Sequence, residues 1–168
     1  MSNGVDTREL ILERLAVLLG EVSGIQSTWR NRGDLTDIER PAAIVLDGRE
    51  RLRNPVEDVY KLKTVKMPTA IFTLEPQIFV ALQMRDDVTN LTVNQVSDPV
   101  GPELSMWRML VKDAVINDSV LLDLVTVNGQ IIYKGCDTDM QTGSMIGALG
   151  AEMQFFFEFC YVLFPSQG

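Results

Sequence analysis

The chain has 168 residues, 46% of them hydrophobic, and carries 15 basic against 23 acidic side chains for a formal net charge of −8. That length favours one domain spanning residues 1–168 with a sizeable core, and the acidic balance argues against general binding to a nucleic-acid backbone, which needs a surplus of Lys and Arg. Histidine is absent, which removes the commonest general base, most zinc sites and every His-dependent triad.

No apolar run approaches the roughly 20 residues of a membrane span. Met1–Asp6 offers no basic region followed by an apolar core, so no signal peptide is expected and the product is read as made in the cytoplasm. Cys136 and Cys160 fit a reducing compartment. In a simple hairpin with its tip between Asp139 and Gly150 they do not face each other, so no disulfide is expected.

A first helix is predicted after Asp6, which caps it with Glu9 three residues on, as in a capping box. Leu10, Ile11, Leu15, Leu18 and Leu19 form its apolar stripe, and Gly20 supplies a stop. Ile25–Arg30 reads as a short strand and Asn31–Arg40 as a polar connector. Pro41 introduces Ala42–Leu46, an apolar run typical of a buried strand, which Asp47-Gly48 ends as a turn.

Arg49–Lys66 is more polar. Asn54-Pro55 marks a turn, and Val59–Lys66 is a candidate strand. Thr69–Leu74 and Gln77–Met84 read as two segments separated by Glu75-Pro76, the second well buried. Asp86–Pro99 is a loop of turn formers.

Pro102 opens a second helix from about Glu103 to Asn117. Trp107, Leu110, Val111, Ala114 and Val115 make its apolar face, with Met106 also assigned to the core. Asp118 caps a short third helix through Val125. Asn128-Gly129 signals a turn, Ile131–Asp137 a strand, and Asp139–Gly150 a flexible Gly-rich connection. Ala151–Phe164 closes the chain and holds six of its twelve aromatics. Met153, Phe155, Phe157, Phe159, Tyr161 and Leu163 alternate with residues that begin polar and end apolar, so one face is wet at the start and both are buried at the end. Such a strand belongs in the middle of a sheet. The order of elements predicts an α+β fold, a mixed, largely antiparallel sheet with helices packed mainly on one face.

No residue set names a reaction, and no cofactor is expected. Asp137 and Asp139 resemble the start of an oxygen-rich metal site, but Gly143 and Glu152 stand at the wrong offsets for an EF-hand. A metal-dependent enzyme using this pair is the remote alternative. Gly143, Gly147 and Gly150 lack the Gly-Lys-Ser/Thr of a phosphate loop. Arg49, Arg51 and Arg53 share one face if extended, and Lys61, Lys63 and Lys66 continue a stretch with six of the fifteen basic residues. The bland reading is a solvated face. The sharper one is contact with an acidic partner or subunit. Trp29, beside Arg30 and Arg32, is read first as buried within the subunit; the alternative is an interface anchor with those arginines, since Trp and Arg are favoured there.

Three segments in order carry a family likeness: R-E-L-I-L-E-R-L leading to W-R-N-R-G-D-L and E-R-P-A-A-I-V-L-D-G; M-P-T-A-I-F-T-L-E-P-Q-I-F-V before the helix pair; and N-G-Q-I-I-Y-K-G-C-D-T-D, a Gly-rich spacer and F-F-F-E-F-C-Y-V-L-F-P. Together they resemble a tail terminator or tail-completion protein of long-tailed bacteriophages. The resemblance implies a virion subunit forming a ring, usually a hexamer, on the head-proximal end of the tail tube. Its implied partners are copies of itself, the tail tube protein and the head–tail connector or stopper, with genome DNA passing through the channel without specific binding. It implies no catalytic residues and no membrane. Another neck component, an adaptor or stopper, is the nearer alternative.

Overall fold

A computed structural model describes residues 6–33, 38–53, 70–85, 101–125, 131–141 and 148–163. Helix α1 (Thr7–Glu21) starts where the Asp6 carboxylate accepts the Glu9 amide at 3.3 Å. Gly20 does not end it; the helix runs one residue further to a cap at Val22. Its buried stripe is Ile11, Leu12, Leu15, Leu18 and Leu19. Leu12 replaces the expected Leu10, which is 37% exposed. Both fit a helical stripe, and the rotation of the helix on the sheet decides between them.

Strands β1 (Ser27–Arg30), β2 (Ala42–Leu52), β3 (Ala70–Arg85), β4 (Ile131–Gln141) and β5 (Ala148–Leu163) form one sheet in the order β1-β2-β3-β5-β4. Only β1 and β2 run parallel; the other three pairings are antiparallel. The fold is therefore α+β with a mixed, largely antiparallel sheet. The aromatic terminal strand β5 lies between β3 and β4, as its alternation requires. Cys136 and Cys160 are free thiols, and their register places them opposite Phe155 and Thr73, on opposite faces.

Helices α2 (Gly101–Ile116) and α3 (Ser119–Leu124) pack with α1 over one face of the sheet. Trp107, Val111 and Val115 are the buried residues of α2, while Met106 is 47% exposed rather than in the core. Alternation along β5 sends Met153, Phe155, Phe157, Phe159 and Tyr161 into this layer. Stacking of Phe155 on Phe157 at 6.5 Å and the tilted Phe157–Phe159 pair at 6.4 Å lock the ridge. A smaller cluster of Ile38, Ala42, Ile44 and Ala81 sits on the opposite face. Among the described residues no helix is long and apolar enough to cross a membrane.

Two turn signals in the sequence lie inside strands. Asp47-Gly48 is a bulge in β2, where the register slips between Leu46 and Arg49. Gly48 has φ +69, and a Cβ there would sit 2.1 Å from the Glu75 carbonyl oxygen, so only glycine fits. Glu75-Pro76 lies opposite this bulge, inside the continuous β3. Proline has no N–H for a ladder, and a bulge is where a strand tolerates that. The candidate strand at Val59–Lys66, the turns at Asn54-Pro55 and Asn128-Gly129, the loop Asp86–Pro99 and the tip of the Gly-rich connection lie outside the described residues.

Candidate functional site

The bulge determines which side chains β2 shows to solvent. Before it, Ala43 and Val45 face the helices and Ala42 and Ile44 face away. The extra residue reverses that phase. Arg49 then stands opposite Glu75 and Arg51 opposite Thr73, on the face away from the helices. The alternating Arg49, Arg51 and Arg53 thus share one face, as their spacing suggests. No helix among the described residues covers this open face.

A charged lattice crosses it. Glu75 accepts from Arg51 Nη2 at 2.8 Å and from Lys134 Nζ at 2.9 Å, and Lys134 lies 3.5 Å from Glu158. The ladder joins four strands. The Lys134 hydrogen bond, then Arg51, holds the Glu75 carboxyl below the usual range, and Glu75 in turn raises the Lys134 ammonium. Beside them a shallow groove is lined by Arg49, Glu75, Pro76, Gln77, Lys134 and Phe156. Arg53 Nη1 reaches the buried Cys160 sulfur at 3.4 Å, and Thr73 Oγ1 lies 3.8 Å from that sulfur.

Trp29 occupies the apolar end of the same face, opposite Ile44 and 38% exposed. Its Nε1 donates to Ser27 Oγ at 3.2 Å, and the Arg32 guanidinium lies 4.0 Å from the ring centroid, close enough for a cation–π contact. Arg30 parts from them. The next residue on a strand points to the other side, and Arg30 holds the Glu9 carboxylate on α1 with both Nη atoms and Asp47 through Nε at 3.0 Å. These two carboxylates raise its basicity, Glu9 first, and Arg30 pulls both their carboxyls down. It clamps helix to bulge. Lys61 and Lys63 lie outside the described residues.

The sequence reading missed the hub residues Glu75, Lys134 and Glu158, and two further clamps. Arg14 forks onto Asp118 at 3.0 and 2.7 Å while Asp118 caps α3 by accepting the Leu121 amide at 3.0 Å. Tyr161 donates to Glu50, beside Arg8; burial first, then Glu50, pushes its phenol up. The partners in both are too far apart in the chain for a local pattern to reveal them.

Asp137 and Asp139 are exposed on β4, opposite Gln154 and Glu152. Among the described residues no three His, Cys, Asp or Glu side chains gather as a metal site needs. Cys136 faces the helix side, where burial raises its thiol. The open face therefore carries mixed charge, the partly exposed Trp29 and a shallow groove. No protein-family model matches the chain, and no curated protein matches it.

Proposed function

We propose that the chain is a structural virion subunit that forms a ring, a hexamer by its likeness, at the head-proximal end of a phage tail tube. There it ends tube polymerisation and presents the surface met by the head connector or stopper. It works by shape and contact, without catalysis, and genome DNA passes through the ring without specific binding.

The observation that carries this reading is the one-sided architecture. Among the described residues a five-stranded sheet is stiffened by helices on one face and uncovered by helices on the other, where Arg51, Glu75, Lys134 and Glu158 pair with each other across strands. Charges so arranged set the orientation of a docked neighbour more than its affinity. The formal net charge of −8 suits a lumen that repels phosphates and lets DNA slide.

The test is a termination assay. Tube protein polymerising in the presence of this chain gives short tubes that stop growing, with the chain bound at one end. Tubes that elongate unchanged contradict the reading. Retention on immobilised connector but not on tube protein points instead to an adaptor or stopper.

A further inference from the structure

The two edges of the sheet are uncovered among the described residues, and they carry opposite charge. On one side β1 pairs with β2 only from Ser27↔Ala42 to Arg30↔Val45. The Arg49–Leu52 stretch of β2 therefore has β3 on one flank and no described strand on the other. At the other side β4 pairs with β5 alone. Unpaired N–H and C=O groups along a strand edge are a template for another strand. Arg49 and Arg51 stand exposed on the open face of the first edge, Asp137 and Asp139 exposed on the open face of the second. Asp139 lies directly opposite Glu152.

Strand direction determines how two copies fit. β2 opposes β3, β3 opposes β5 and β5 opposes β4, so β4 runs opposite to β2. A copy generated by rotation about an axis along the strands keeps its strand direction and its facing. Its β4 meets the neighbour's β2 antiparallel, with both open faces on the same side. Alternation then puts the two aspartates across from alternate arginines. It also brings Leu52, 54% exposed, toward the helix-side residues Cys136 and Thr138.

We infer that the partner at this edge is a second copy of the chain: β4 of one subunit adds to the Arg49–Leu52 edge of the next, with Asp137 and Asp139 against Arg49 and Arg51. This deepens the ring reading and rests on it. Opposite guard charges reject β4 against β4 and β2 against β2, leaving the head-to-tail contact that repeats around a ring.

Native mass spectrometry and sedimentation velocity of the full chain, at low and high salt, provide the test. Self-association is expected, and it weakens as salt rises. Arg49→Glu raises the dissociation constant about tenfold, and Asp137→Lys with Asp139→Lys does the same. A chain with all three changes reassociates, and so does an equal mixture of the two reversed proteins, which misfolding could not produce. A chain monomeric at every concentration, an affinity unmoved by either reversal, or a loss that neither the triple variant nor the mixture repairs overturns the inference. Tube capping is scored separately. Capping by oligomers indifferent to these charges keeps the ring and removes this edge; edge-dependent oligomers that never cap tubes do the reverse.

Discussion

The two faces of β5 differ in what holds them. On the helix side Phe155, Phe157 and Phe159 are buried to 1% exposure or less. On the open side Glu152, Gln154, Phe156 and Glu158 are half-buried at most, and Glu158 belongs to a charge lattice. Dense packing supplies stability on the first face. Exposed ion pairs are worth little in stability, so the second face is free to serve recognition. The same strand therefore carries rigidity on one face and, under the proposed ring reading, contact chemistry on the other.

The largest test of that contrast is Phe157→Ala, expected to cost about 3–5 kcal/mol in denaturant unfolding. Phe156→Ala on the open face should cost less than half as much. Gly48→Ala comes next, at about 2–4 kcal/mol, because it strains a left-handed backbone and drives a Cβ into the Glu75 carbonyl. Gly33→Ala, with open space around it, stays within about 0.5 kcal/mol. Asp118→Ala removes a cap and strands the Arg14 guanidinium, for about 2–3 kcal/mol. Combined with Arg14→Leu it costs less than the two singles together, which a double-mutant cycle will show. Lys134→Met removes only exposed ion pairs and should leave the unfolding midpoint close to that of the parent chain.

Acid titration sharpens the same picture. Arg30 holds Glu9 and Asp47 below the ordinary carboxylate range, Lys134 does so for Glu75 and Arg14 for Asp118. Folded-state values below unfolded ones mean that the unfolded chain binds protons first as pH falls. Their stabilisation is complete above the ordinary carboxylate range and is lost as pH drops through it toward the folded-state values. Urea midpoints followed from neutral to acid pH should fall accordingly, and Asp118→Asn should flatten that fall.

Much of the fold is legible because it is written in period. The aromatic alternation of β5 places it inside a sheet, and Asp6 and Asp118 are caps wherever a helix follows. What is illegible depends on distance or phase. Asp47-Gly48 has the same local chemistry in a turn as in a bulge, and only the partner strand decides. The reversal of phase there turns Arg49 and Arg51 outward, which their spacing alone leaves open. Lys134 meets Glu75 across 59 residues, and Arg30, one residue from Trp29, faces the other way because strands alternate. The open face was thus half visible: its arginines and its tryptophan could be named, its acidic hub could not.

Electron microscopy of the purified chain mixed with tail tubes tests the central claim most directly. The account predicts closed rings seated at one end of each tube, with the sheet edges of neighbouring subunits in contact. Bare tube ends beside single, unassociated subunits would contradict it.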